Sequence, residues 1–125
     1  MEINEGVLDG VYAGLLGLFF THEIDAALRR EWRLLPVLRD MDEPRAQALF
    51  IWAHPPLFAL ILWGGADASI NATRLGVAAF AVIHVGLHAA LRSHPAYAFN
   101  GLGSRLLIGL TGVFGALYLV LAAAA

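Results

Sequence analysis

Four long apolar runs alternate with short polar segments along this chain. The runs occupy residues 7–28, 45–63, 73–91 and 104–124. A helix that crosses the hydrocarbon core of a bilayer needs about 20 mostly apolar residues, and each run is long enough. The segments between the runs contain the Gly, Pro, Asn or clustered charges that are typical of connections. The pattern predicts an all-α fold, a four-helix transmembrane bundle, with residues 1–125 forming a single integral membrane domain.

Composition agrees with a multi-pass membrane protein. Of the 125 residues 59% are apolar and only 14% are charged, with a mean hydropathy of +0.69. A soluble domain of this length would need a more polar surface. The chain has no Cys, which excludes disulfides and thiolate-bound metals. We therefore expect the lipid bilayer as its main partner.

Arginine is distributed unevenly between the connections. All eight basic residues are Arg, and seven lie in or beside the first and third connections, at positions 29, 30, 33, 39, 45, 92 and 105. Only Arg74 lies on the other side. Because cytoplasmic loops carry the excess of Lys and Arg, both termini should face the exterior or periplasm. The arginines follow the membrane borders and form no soluble basic face, so we expect no nucleic-acid binding.

The first residues bear on whether the first span is kept. Residues 1–6 include Glu2 and Glu5 and no basic residue. A cleaved signal peptide begins with a positively charged region, which is missing here. We therefore expect the first span to be retained.

Histidines interrupt the second and third spans. His84 and His88 are four residues apart, so both side chains lie on one helical face, a spacing that suits a shared ion or cofactor. In the second span His54 precedes Pro55 and Pro56, which remove two backbone donors and predict a kink. A kink beside a histidine favours a cavity there.

The cytoplasmic end of the first span carries the densest polar group, His22, Glu23 and Asp25. With the predicted topology, four histidines on three helices lie in one depth band of the bilayer, His22, His54, His84 and His88. Ionisable groups inside a membrane are costly and normally face each other or a cavity. The shared depth is therefore the main sequence argument for a site.

The first functional hypothesis is a metal site holding one zinc or iron ion. Its predicted ligands are His22, Asp25, His54, His84 and His88. Glu23 and Asp25 are the candidate catalytic residues. Paired iron would want several bridging carboxylates, and the chain offers at most Glu23, Asp25 and Glu31, so a single ion fits better. A substrate at this depth would be a lipid or another hydrophobic small molecule, and the sequence does not decide whether the protein is an enzyme.

Other interpretations remain open. His54 could face His84 or His88 across a haem in an electron carrier. The histidines could instead be relay groups in an accessory subunit or in a proton or metal conduit. Plain structural roles also fit, with Asp25 paired to Arg29 and His54 satisfied by its surroundings.

Small residues recur in two of the spans, as Gly10, Gly14 and Gly17 in the first and as Gly109, Gly112 and Gly115 in the fourth. Glycines at this spacing let helices approach closely in lipid. We expect them to pack within the bundle, with a homo-oligomer face as the alternative.

Three stretches carry a family resemblance, THEIDAALRREWRLLP, the HPP of the second span and HVGLHAALRSHPAYAF. Over about residues 15–105 the chain resembles small uncharacterised bacterial membrane proteins with histidine and acid motifs, similar to HXXEE-type families. It departs from that motif because His22 is followed by Glu23 and Asp25. The resemblance implies a multi-pass protein of the bacterial inner (cytoplasmic) membrane and no particular reaction. The HxxxH motif is also similar to that of seven-span membrane zinc hydrolases, although this chain has only four spans.

Overall fold

Four long helices account for most of the chain in a computed structural model that describes residues 5–125. They are α1 (Glu5–Leu28), α2 (Glu43–Gly64), α3 (Ala72–Leu91) and α4 (Leu102–Ala124). All four are long and apolar enough to cross a membrane, and the described residues contain no strand. The predicted all-α four-helix class is therefore confirmed. Residues 1–4, including Glu2 of the expected retained start, lie outside the described residues.

The two central helices begin at polar caps. Asp42 accepts a hydrogen bond from the Arg45 backbone N–H at the start of α2, and Asn71 accepts one from the Arg74 N–H at the start of α3. Such caps satisfy amide groups that the first helical turn leaves without partners. Helix α2 runs through Pro55 and Pro56 without interruption.

Helix α4 packs against α1 and α3, and two of its glycines make this approach possible. A Cβ at Gly115 would lie 2.6 Å from the Ala78 carbonyl oxygen, and one at Gly112 would collide with a Val85 methyl. Gly14 of α1 similarly faces the Phe114 ring of α4. These three glycines pack inside the bundle, whereas a Cβ at Gly10, Gly17 or Gly109 would meet nothing within 4 Å.

Helix α2 is held less closely, since it makes fewer contacts with α1 and α3 than α4 does. Large apolar side chains along it are exposed, among them Trp52 and Trp63. In a helix that crosses lipid, such side chains meet acyl chains instead of water. The looser packing leaves space beside α2.

The connection between α1 and α2 folds back against the bundle. Arg30 adopts the left-handed conformation (φ 58°, ψ 47°), which ends α1 and leads into a short 3₁₀ turn, Glu31–Arg33. Trp32 and Leu34 become buried in an apolar cluster with Phe50, Phe99 and other residues at this end of the bundle. This turn carries Glu31 to the end of the bundle where α1 and α3 present their histidines.

Candidate metal centre

Three histidines and one glutamate converge at the end of the bundle next to the α1–α2 connection. His22 comes from α1, Glu31 from the 3₁₀ turn, and His84 and His88 from α3. One ligand atom from each residue lies within 4.8 Å of the other three. His22, Glu31 and His88 are buried and His84 is nearly so. The four residues, here called the His/Glu cluster, could hold a metal ion.

The distances within the His/Glu cluster resemble the edges of a coordination tetrahedron. His84 Nε2 lies 2.8 Å from His22 Nε2 and 3.1 Å from His88 Nε2. The Glu31 carboxylate oxygens lie 3.6–3.9 Å from the three Nε2 atoms. Nitrogen ligands about 2.0–2.1 Å from zinc would stand about 3.3 Å apart in a tetrahedron. Small shifts of the side chains would therefore give all four residues bonding distance to one ion.

Hydrogen bonds alone do not explain these contacts. Each imidazole nitrogen has one in-plane site, which is either an N–H donor or a lone pair. His84 Nε2 contacts Nε2 of both His22 and His88, so it cannot make two straight hydrogen bonds. Three lone pairs directed at one cation would remove this conflict.

The far nitrogens of the three rings have different environments. His88 Nδ1 lies 3.2 Å from the Tyr97 hydroxyl, which can fix the ring tautomer that leaves Nε2 free. Nδ1 of His22 and of His84 is buried with no hydrogen-bond partner among residues 5–125. These two rings make polar contacts only through Nε2, the atom directed into the His/Glu cluster.

Glu31 is the acidic member of the His/Glu cluster. Burial, together with the smaller effects of the nearby Glu23 and Asp25 carboxylates, raises the pKa of its carboxyl to about 8. A cation bound by the same carboxylate would oppose both effects. The carboxylate is therefore costly in this position unless a positive charge accompanies it.

His54 pairs with Glu23 and is not part of the His/Glu cluster. Its Nδ1 lies 2.6 Å from the Phe50 carbonyl oxygen, which can only accept, so Nδ1 carries a hydrogen. Its Nε2 lies 2.8 Å from Glu23 Oε2, a contact that needs one more proton between the two atoms. A neutral imidazole with its hydrogen on Nδ1 and an ionised carboxylate would have no proton between Nε2 and Oε2. The pair therefore holds one additional proton there.

Three other polar residues of the sequence are not members of the His/Glu cluster. Asp25 forms an ion pair with Arg29 at 3.2 Å, as the plain structural interpretation expected. His94 lies in the α3–α4 connection, where its Nδ1 accepts a hydrogen bond from the Ala96 N–H. Asp9 pairs with Arg74 near the start of α3.

An apolar cavity adjoins both the His/Glu cluster and the Glu23–His54 pair. Its volume is about 620 Å³, and its walls come from α1, α2, α3 and the α1–α2 connection. Its polar lining consists of Glu23, Glu31, His54, His84 and His88. The remaining lining is Leu, Phe and Ala. A molecule in this cavity would therefore meet the two polar groups and otherwise only apolar side chains.

Glu31 is the cluster residue that the sequence-based ligand set left out. The sequence-based hypothesis includes Glu31 only as a third carboxylate for paired iron. Neighbouring Arg30 and Arg33 make Glu31 resemble an ordinary surface acid, like Glu43, which does pair with both arginines. A useful signal is its position directly before Trp32, because a buried Trp carries its neighbour into the fold.

A helical membrane-type bundle with a buried His/Glu cluster is thus the class of protein that the geometry defines. A family model matches residues 9–125, nearly the whole chain, and the protein belongs to this family, described as a family of unknown function (DUF6713). No curated protein and no solved structure matches the chain. The family assignment agrees with the expectation of an uncharacterised family and supplies no reaction.

Proposed function

We propose that the protein holds a single zinc or iron ion on the His/Glu cluster and presents it to a hydrophobic substrate within the membrane. The convergence of three imidazole nitrogens and one carboxylate within 4.8 Å carries this proposal. Buried imidazoles that crowd one another are costly unless a ligand engages their lone pairs. Zinc and iron both accept this nitrogen and oxygen donor set.

The apolar cavity supports a lipid or a similar amphipathic molecule as substrate. Its lining is mostly aliphatic and aromatic, which suits an acyl or isoprenoid chain. A bound ion would polarise a carbonyl of the substrate or lower the pKa of a bound water. The Glu23–His54 pair lines the same cavity and holds one transferable proton, so we assign it the exchange of a proton with a substrate atom.

The role of the site would depend on which of the two metals it binds. Four-coordinate zinc bound by all four residues would have no open position, as in structural zinc sites. Six-coordinate iron bound by the same residues would keep two positions for substrate or water. The identity of the metal therefore separates a structural centre from a reactive one, unless Glu31 dissociates from zinc.

We place the protein in the bacterial inner membrane with both termini on the periplasmic side. The seven-to-one distribution of Arg and the resemblance to HXXEE-type bacterial proteins support this placement. The His/Glu cluster would then lie in the cytoplasmic half of the bilayer.

Elemental analysis and a visible spectrum of detergent-purified protein test the metal assignment. We expect close to one zinc or iron per chain in the parent protein and almost none in a His84→Ala, His88→Ala double variant. His94→Ala is the matched control and should keep the metal, since His94 lies outside the His/Glu cluster. Metal-free parent protein, or equal loss in the control, would contradict the proposal. A strong haem band would favour the electron-carrier alternative.

Binding of cis-parinaric acid, a fluorescent fatty acid, tests the cavity assignment. Ala53 lines the cavity, whereas Ala59, also exposed on α2, is not among its lining residues. We expect saturable binding that Ala53→Trp weakens severalfold and Ala59→Trp leaves unchanged. Equal effects of the two substitutions would place the fatty acid elsewhere on the protein.

A further inference from the structure

Within residues 5–125, two of the eight arginines have no acidic partner, whereas the other six do. Among residues 5–125, carboxylates pair with arginine at positions 29, 30, 33, 39, 45 and 74. Arg92 and Arg105 have no such ion pair within the described part of the chain. Both side chains are exposed.

The two unpaired arginines lie at one place. A second cavity, of about 430 Å³, lies between α3, α4 and the connection that joins them. Its polar lining residues are His88, Arg92, Tyr97, Asn100 and Arg105. Two guanidinium groups, an amide and a hydroxyl thus border one cavity, a set of groups that can donate hydrogen bonds to an anion.

The surrounding chain does not neutralise this positive charge. From residue 68 to residue 125 the sequence contains no Asp or Glu. An anion in this cavity would therefore meet no carboxylate from its own walls.

We propose that this cavity binds a phosphate group at the membrane interface. Arginine presents several N–H donors in a planar fork that matches phosphate oxygens, and two such groups can hold one phosphate from two sides. Arg92 directly follows the last residue of α3, and Arg105 lies in the first turn of α4, so both lie where lipid headgroups meet the bundle. The phosphate can belong to a lipid headgroup or be free in solution. The proposal does not depend on the metal assignment.

Two probes distinguish the sources of phosphate. Protein in neutral dodecylmaltoside micelles is titrated by calorimetry with dihexanoyl phosphatidic acid and, separately, with inorganic phosphate. We expect the parent protein to bind one phosphatidic acid per chain. The Arg92→Gln, Arg105→Gln double variant should bind it with an affinity about tenfold lower or weaker still. Arg39→Gln, Arg45→Gln removes the same charge from exposed, carboxylate-paired arginines and should change the affinity less than about twofold.

The outcomes separate a built site from general attraction of anions. Tight binding of inorganic phosphate at the same stoichiometry would keep the site and assign it to free phosphate. Absence of saturable binding by either probe would overturn the proposal. Equal losses in the two double variants would also overturn it, because the effect would then follow net charge alone. Thermal unfolding of both variants, expected to match the parent, shows that a loss does not come from misfolding.

Discussion

The two ends of the bundle both bury polar groups but arrange them in opposite ways. Near the start of α3, the Arg74 guanidinium donates to the Gly65 carbonyl at 3.0 Å and to Asp9 at 2.6 Å. It also lies over the Tyr12 ring, 4.7 Å from its centre. Its donors thus meet acceptors, and its charge meets a carboxylate. The buried guanidinium is therefore satisfied without a ligand.

At the His/Glu cluster, by contrast, imidazole nitrogens contact one another without a full set of matched donors and acceptors. Nε2 of His84 contacts two other imidazole nitrogens, and Nδ1 of His22 and of His84 has no partner among the described residues. Because unpaired buried polar groups are costly, they persist where another role requires them. The comparison separates a structural polar pair from a candidate ligand site within one small bundle, and variants at each end can test it.

The largest effect should come from His22→Ala. Loss of one of four ligands should weaken metal binding by more than about 100-fold, the upper range for loss of an outer-shell partner. A chelator should then lower the melting temperature of the parent but not of the variant, because a metal present at about 100 times its Kd stabilises the fold by about 2.7 kcal/mol. His54→Ala is the control and should keep the metal. Equal metal loss in both variants would indicate that His54 is also a metal ligand, as the sequence-based hypothesis predicts.

Arg74→Met should give the next largest effect, a loss of folding stability at the end of the bundle near the start of α3. It leaves the Gly65 carbonyl and Asp9 without their donor, at a cost of about 1–3 kcal/mol in the free energy of unfolding. Thermal unfolding in detergent measures this loss, while metal content should stay at the parent value. Arg39→Met, on an exposed ion pair, should cost under about 1 kcal/mol. Metal loss in Arg74→Met would mean that the two ends are not independent.

Tyr97→Phe should weaken the metal site without unfolding the protein. It removes the hydroxyl that contacts His88 Nδ1 and keeps the ring. Loss of such an outer-shell contact typically reduces metal affinity by about 10–100-fold. Competition with a chromophoric chelator measures the affinity, and Tyr12→Phe at the other end serves as the control. An unchanged metal affinity in Tyr97→Phe would mean that packing alone orients the His88 ring.

The smallest effect should come from Asp25→Asn. The Asp25–Arg29 pair is an i, i+4 contact with a half-exposed guanidinium, so its loss should cost under about 1 kcal/mol. Metal content measured by elemental analysis should not change. A clear fall in metal content would support the sequence-based hypothesis that Asp25 is a ligand.

The sequence predicts the helices well because the membrane imposes a strong pattern. Backbone groups must be satisfied within each span, so long apolar runs become helices of nearly the same length. The i, i+4 spacing of His84 and His88 likewise fixes their relative position on α3. In the structure His22 also lies near them.

The rest of the candidate site depends on features that spacing does not encode. Depth along a helix does not say which neighbour a side chain faces, and the loosely held α2 turns His54 towards Glu23. Glu31 reaches the His/Glu cluster because Arg30 adopts a left-handed conformation, which is uncommon for residues other than Gly. An Arg–Arg pair carries no sequence signal for such a turn.

X-ray absorption at the metal K-edge tests the central claim most directly, because it counts the atoms bound to the ion. On metal-loaded protein in detergent, the account predicts three imidazole nitrogens and one carboxylate oxygen at about 2.0–2.2 Å, with iron adding further oxygen ligands. In His84→Ala, His88→Ala protein, any remaining metal should show at most one imidazole. A parent spectrum with an oxygen-only shell, or with fewer than two imidazoles, would contradict the proposed centre.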